Sequence, residues 1–182
     1  MKTEWKKDYY RMTGSRWKAN FKSIINFVFM HNIRFMYWWR MAKQGSLFAK
    51  YKVFRYSRKY GLEISLLSEI GNGFYLGHPY NITIGGNVKI GNNVNIHKGA
   101  TVGATNRGRK AGSPVIGNNV FIGINSTIVG NISIGDDVLI APNSYVNFDV
   151  PSHSVVIGNP GKIHLKENAT NGYVGYFISD LL

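Results

Sequence analysis

The sequence has no cysteine, only five prolines and only nine acidic residues in 182 positions. Without cysteine there is no disulfide framework, thiol nucleophile or thiolate metal site, which fits a reducing compartment. The scarcity of acid leaves 22 Lys and Arg in excess, for a net charge of +13. Long apolar runs are missing too. The most apolar stretch, Ser23 to Ile33, is about half the ~20 residues that span a bilayer, and Arg34 ends it. The opening Met-Lys-Thr-Glu-Trp-Lys-Lys-Asp has no apolar run behind it and does not read as a secretory signal. The expectation is a cytoplasmic protein, soluble or peripheral at the inner face of the cell membrane.

The charge is unevenly placed. Residues 1–62 hold 15 Lys/Arg against Glu4 and Asp8, and 16 of the 25 aromatics; residues 63–182 hold seven charges of each sign. This divides the chain into a basic, aromatic-rich segment (1–62), a repeat domain (63–163) and a C-terminal tail (164–182).

From Ile64 the chain beats in sixes. Ile64, Ile70 and Leu76 open the series, a step of eight leads to Ile84, Ile90, Ile96 and Val102, and a step of fourteen leads to Ile116, Ile122, Ile128, Ile134, Ile140 and Val146. Glycine follows eight of these thirteen aliphatic positions. Such a period is the mark of a parallel β-helix, a mainly β fold in which three hexads make a coil and residues 18 apart stack. One aliphatic residue per hexad fills the interior, helped by small or β-branched neighbours such as Val88, Val94, Ser126 and Val138. Glycines such as Gly85, Gly91, Gly117 and Gly135 are expected to serve the tight corners.

A solenoid leaves ladder edges at its ends. Trp17, Phe21, Ile24, Ile25, Val28, Phe35, Trp38 and Trp39, then Leu47, Tyr51 and Phe54, recur at helical spacing. They predict two helices, roughly 16–44 and 47–59, capping one end, with most of these side chains in the core. The tail is expected to cover the last coil or to meet another subunit. Function is expected at the two interruptions, the Leu76–Ile84 step with Gly77-His78-Pro79-Tyr80 and the excursion 104–115.

Of the five histidines, His78 sits in the first interruption, and His97, three hexads on from Leu76 by the repeat count, falls on the same face. A neutral imidazole suits general-base chemistry because its unperturbed pKa lies near neutrality. No His-x-x-x-His or acidic cluster argues for a metal, and no phosphate-loop motif is present.

Residues 60–164 resemble the serine acetyltransferase-like branch of the hexapeptide-repeat acyltransferases, which includes O-acetyltransferases of surface polysaccharides. The matching pieces are Ile70-Gly-Asn-Gly-Phe-Tyr-Leu-Gly-His-Pro79, residues 91–103, Ser113-Pro-Val-Ile-Gly117 and residues 149–163, with Arg34-Phe-Met-Tyr-Trp-Trp-Arg40 upstream. The resemblance implies a left-handed β-helix, usually a homotrimer, with acetyl-CoA as co-substrate and no metal. It implies His78 as general base; His97, on the same face by the repeat count, is the candidate second active-site residue. It also implies CoA contacts at Gly123, Ala141, Asn159, Pro160 and Lys162. The excursion's Asn106, Arg107, Arg109, Lys110 and Ser113 are the candidates on the acceptor side. Where the branch's serine enzymes carry acidic and imidazole groups for the amino acid, this chain has Gly77, Ala111 and Ser113.

That departure leads to the expectation of an acetyl-CoA-dependent O-acetyltransferase acting on a sugar hydroxyl of a capsular or other surface polysaccharide or its precursor. The alternative is a serine O-acetyltransferase with an altered pocket. A second alternative, from the basic aromatic segment, is a membrane-surface or nucleic-acid binding module, with nucleic acid the less favoured partner.

Overall fold

The six-residue beat folds as three parallel sheets that share one column of aliphatic residues each. The computed structural model describes residues 4–181, so residues 1–3 and 182 of the two terminal segments lie outside the described residues. The first sheet runs Leu62–Ile64, Ile82–Ile84, Thr101–Gly103, Thr127–Val129 and Tyr145–Val146. The second runs Glu69–Ile70, Lys89–Ile90, Val115–Ile116 and Ser133–Ile134. The third runs Tyr75–Gly77, Asn95–His97, Phe121–Ile122, Val138–Ile140 and Ser154–Ile157, and Lys162–Leu165 adds to it antiparallel. This is the expected parallel β-helix with an N-terminal helical segment.

Register shows what the interruptions do. Ile122 pairs with Ile140, 18 residues on, as a plain coil requires. Leu76 pairs with Ile96, 20 on, and Ile96 with Ile122, 26 on. The two interruptions are therefore insertions of two and eight residues that leave the stacked columns intact. All thirteen repeat aliphatics are buried, and so are Val88, Val94, Ser126 and Val138.

The corners work differently from the expectation. Gly91, Gly117 and Gly135 do not adopt the left-handed conformation; Asn93, Asn119, Asn125, Asp137 and Asn143 do, with φ of 53–60°. The glycines answer a packing demand instead. A Cβ on Gly91 would stand 2.6 Å from the carbonyl oxygen of Gly117 in the next coil. Asparagine suits the turn because its short polar side chain tolerates the left-handed region.

The helical segment departs from the two-helix reading. It holds α1 (Glu4–Thr13), α2 (Phe21–Phe29), α3 (His31–Lys43) and α4 (Leu47–Tyr60). Asn20 and Ser46 cap α2 and α4 through their side-chain oxygens, and Gly61, at φ 65°, ends α4. Extended backbone at Met30 separates α2 from α3, so the continuous apolar spacing across 16–44 spans a bend. α3 buries Ile33, Phe35, Met36 and Trp39 over the first coil. Phe21, Ile24, Ile25 and Val28 on α2 and Leu47, Tyr51 and Phe54 on α4 stay exposed, contrary to their assignment to the core. Helices laid on the end of a narrow solenoid have only one line of contact with it, so helical periodicity there marks apolar faces without saying which are covered.

Charged groups fasten this cap. The Arg40 guanidinium donates to both carboxylate oxygens of Asp8, at 2.9 and 3.2 Å, and to the Ile70 carbonyl at 2.7 Å. Asp8 also accepts from the Phe74 backbone N–H at 2.8 Å. Arg11, buried, donates to the carbonyls of Gly73 and Asn93 and to Asn95 Oδ1.

The tail neither stops at the last coil nor leaves the molecule. Asp137 accepts from the backbone N–H groups of Ala169 (2.9 Å) and Thr170 (3.0 Å) and from the Thr170 hydroxyl (2.7 Å). Further along, Tyr173 O accepts from Asn95 Nδ2 at 3.0 Å and Ile178 N–H donates to Asn93 Oδ1 at 3.1 Å. The tail thus descends the side of the solenoid to the first coils.

Candidate active site

The two-residue insertion pushes His78 out of the stacked ladder at the end of strand Tyr75–Gly77. His78 takes φ 47°, a left-handed conformation for which histidine is among the better-suited non-glycine residues. The turn is closed by Tyr80 N–H donating to His78 O at 2.8 Å, with Pro79 buried beneath and the His78 ring exposed. The cap supports this turn from below. His31 stacks on Tyr60 at 4.4 Å, meets Tyr80 edge-on at 5.2 Å and hydrogen-bonds the Pro79 backbone. Burial depresses the His31 pKa, against the opposing pull of that hydrogen bond. Asn32 Nδ2 donates to Leu76 O at 3.2 Å.

His97 lies one coil up, in register with Gly77, its ring 6.5 Å from that of His78. Desolvation, then the neighbouring His78, lowers its pKa to about 4, so the ring is neutral at physiological pH. Its Nε2 is buried with no hydrogen-bond partner. The ring fills the space next to Gly77: a Cβ there would stand 2.4 Å from its Cε1 and Nδ1.

Register extends this edge upward. The position after each third-sheet aliphatic is Gly77, His97, Gly123, Ala141 and Ile157, and Lys162 pairs with Ile157. One edge of the solenoid therefore carries, in order, the two histidines, the two small residues and an exposed lysine, with Asn159 and Pro160 in the turn before Lys162. Gly123 also has a structural task, since its Cβ would lie 2.6 Å from Pro142 N. The excursion is not part of this edge. It leaves the first sheet after Gly103, at the opposite end of the strands from His78, and closes on itself through Thr105 and Gly112. Lys110 is tied to Asp149 at 2.7 Å, whereas Asn106, Arg107 and Arg109 are exposed. In a single chain these loop residues, with Ser113, are not brought to His78. Among the described residues, no group of three or more His, Asp or Glu stands ready for a metal ion.

Sequence reasoning passed over His31, Tyr75, Phe121 and Tyr173. The first holds the turn and the other three surround His97, with Phe121 at 4.7 Å and Tyr75 at 6.0 Å from its ring and Tyr173 at 5.1 Å from Phe121. Stacking at 26 residues, with the excursion removed, signals Phe121; nothing local signals Tyr173.

Known proteins share this fold. The family described as bacterial transferase hexapeptide (six repeats) matches residues 113–147. Serine acetyltransferase 2 of Arabidopsis thaliana is 43% identical over 109 residues, 60% of this chain. The chain spans 34% of that relative's length and 48% of that of other curated relatives it matches. Serine acetyltransferase of Neisseria gonorrhoeae, solved in complex with serine, superposes with a TM-score of 0.71 at 28% identity, over 89% of this chain and 66% of that one. A serine acetyltransferase solved in complex with CoA gives 0.66 at 27% identity, over 75% of this chain and 58% of that one. Fold and repeat define a hexapeptide-repeat β-helix. Within the hexapeptide-repeat proteins its similarity is to serine acetyltransferases.

These likenesses overturn the expectation of a sugar acceptor, and with it a role in polysaccharide synthesis: the relatives and solved neighbours are serine acetyltransferases. Gly77 stands where the serine enzymes of the branch carry an acidic group for the amino acid, which pointed away from serine. The His97 ring refills that space, so the exchange changes the pocket's chemistry without emptying it.

Proposed function

We propose that this chain is an acetyl-CoA-dependent O-acetyltransferase acting on a serine hydroxyl, with His78 as general base. The observation that carries the reading is the single edge that bears exposed His78 and, in register with its neighbour Gly77, the small residues Gly123 and Ala141 and then Lys162. Acetyl-CoA lies along that edge with Lys162 beside its phosphates. His78 accepts the hydroxyl proton as the serine oxygen attacks the thioester carbonyl. A backbone N–H holds the oxyanion, and the tetrahedral intermediate expels CoA thiolate, which takes up the proton. The edge is open to solvent in one chain, and a homotrimer, in which a neighbour closes the cleft, belongs to the same reading. His97 serves on the acceptor side.

The test is release of CoA with serine and N-substituted serines. His78→Asn, which keeps the left-handed turn, lowers the rate by about 10²–10⁴-fold. The reading fails if no serine hydroxyl compound raises CoA release above hydrolysis, or if the variant keeps full rate.

A second proposal concerns the cap, where no described helix is long and apolar enough to cross a membrane. We propose that its α2 and α4 faces rest on an anionic bilayer. Phe21 is 80% exposed, Phe29 77% and Leu47 79%. Lys52 lies over Trp38 and Phe48, Arg55 over Tyr51 and Arg58 over Phe54, which places cations around an apolar surface. Full-length protein is expected to sediment with phosphatidylserine vesicles and to lose this on Phe21→Ser/Phe29→Ser. Equal recovery with neutral vesicles removes the proposal.

A further inference from the structure

A cavity of about 400 Å³ lies between the descending tail and the third sheet, one imidazole away from His78. His97, Tyr75 and Phe121 form its inner wall, and Tyr173 and Tyr176 its outer one, with Arg11 at one end. The outer wall is a strap, Gly172-Tyr173-Val174-Gly175-Tyr176, held to the sheet by the Asn95–Tyr173 hydrogen bond. At both Gly172 and Gly175 an added Cβ would meet no atom within 4 Å. Phe121 is the middle of three rings in contact, tilted against His97 at 4.7 Å and edge-on to Tyr173 at 5.1 Å.

The chemistry of this cavity is specific. No carboxylate lines it, and its only charged group is a guanidinium already committed to three acceptors in the protein. A ligand ammonium placed here would lose water without gaining a partner. Aromatic faces favour a flat apolar body. His97, on the inner wall, has its Nε2 buried with no hydrogen-bond partner, which leaves nothing to stabilise a charged imidazolium. That ring is neutral, so it binds a neutral group without an ion pair.

We propose that this cavity is the acceptor's specificity pocket, and that it takes a serine whose nitrogen is acylated by a flat, apolar group instead of a free zwitterionic serine. The proposal rests on the reading that the chain acetylates a serine hydroxyl. The hydroxyl approaches His78, the amide passes the His97 ring, and the acyl group lies in the cavity against Phe121, Tyr173 and Tyr176.

The experiment compares L-serine with N-(4-fluorobenzoyl)-L-serine as acceptors for the full chain, with acetyl-CoA as donor. The expected result is a kcat/KM at least about tenfold higher for the acylated serine, a preference of the size an apolar pocket provides. Phe121→Ala and His97→Leu are expected to erase that preference by lowering turnover of the acylated serine more than that of L-serine; a merely structural lesion lowers both alike. Fluorine NMR of the acylated serine with the protein, without acetyl-CoA, reads the pocket independently of turnover. Line broadening that Phe121→Ala abolishes supports the pocket even if neither acceptor is acetylated, which would sink the enzymatic reading alone. Preference for L-serine, equal losses in the variants, or no broadening with wild type overturns the proposal.

Discussion

The imidazole of His97 occupies the place where a side chain at position 77 would stand, in the neighbouring coil and in register with it. Gly77 and His97 are thus one structural unit beside the turn that carries His78. Gly77→Ala is expected to overpack this spot and lower stability by about 1–3 kcal/mol. Urea unfolding of the single variants and of Gly77→Ala/His97→Ala checks the coupling, because the second substitution removes the ring and restores most of the loss. Additive losses would show that the two positions do not share this space.

The depressed pKa of His97 has a consequence for stability. The folded state titrates at about 4 and the unfolded side chain at 6.5. Between those values the unfolded chain binds more protons, so stability rises with pH across the window. The contribution is complete above 6.5 and is lost as pH falls toward 4. Unfolding free energies of wild type and His97→Leu, measured from pH 7 down to pH 4.5, are expected to converge in acid. Parallel curves would contradict the burial of a neutral ring.

The Asp8–Arg40 pair joins α1, α3 and the first coil, with both side chains almost fully buried. Desolvation pushes the Asp8 carboxyl up, with Arg40 and the Phe74 N–H acting in the opposite direction. Arg40→Met leaves that carboxyl without its cation and is expected to cost about 3–5 kcal/mol, read by chemical denaturation. Asp8→Asn/Arg40→Met is expected to cost less than the sum of the single changes. A loss below 1 kcal/mol for Arg40→Met alone would mean the pair is no anchor.

Asp137 fixes the start of the strap's descent. Burial acts to raise its pKa, but hydrogen bonds from Thr170, His153 and Ala169 hold it below 3.8. Its stabilising effect is therefore present above pH 3.8 and is lost as pH falls through the lowered folded value. The exposed His153 ring, 2.9 Å from Asp137, is shifted up by this contact, and its share is present below 6.5 and fades as pH rises through the folded pKa. Asp137→Ala is expected to speed tryptic cleavage at Lys166 and to raise hydrogen exchange at Ala169 and Thr170. Unchanged cleavage would show that the tail is held elsewhere.

Much of the site was legible along the chain. The two extra residues at 76–84 break a strict period, and a break in a stacked ladder has to place a side chain outside it; His78 was found that way. Gly123, Ala141 and Lys162 came from the family resemblance, and the register puts them on the same edge. Arg11, Asp8 and Arg40 were not legible, because charges in a segment of net +13 read as a solvated surface until a partner 30 or more residues away is seen to bury them. The exposed α2 and α4 faces were misread for the complementary reason, since periodicity reports that a face is apolar and not that anything covers it.

What the sequence determined by itself was the solenoid and the turn that carries His78, because each hexad repeats one local pattern and stacks on its immediate neighbours. Missing cysteine and scarce acid excluded chemistries without naming one. The tertiary structure decided which side chains surround that turn: His97 filling the space beside Gly77, the cap beneath Pro79, and a tail brought back beside Phe121. Those contacts join residues far apart in the chain, and packing sets them where no period reaches.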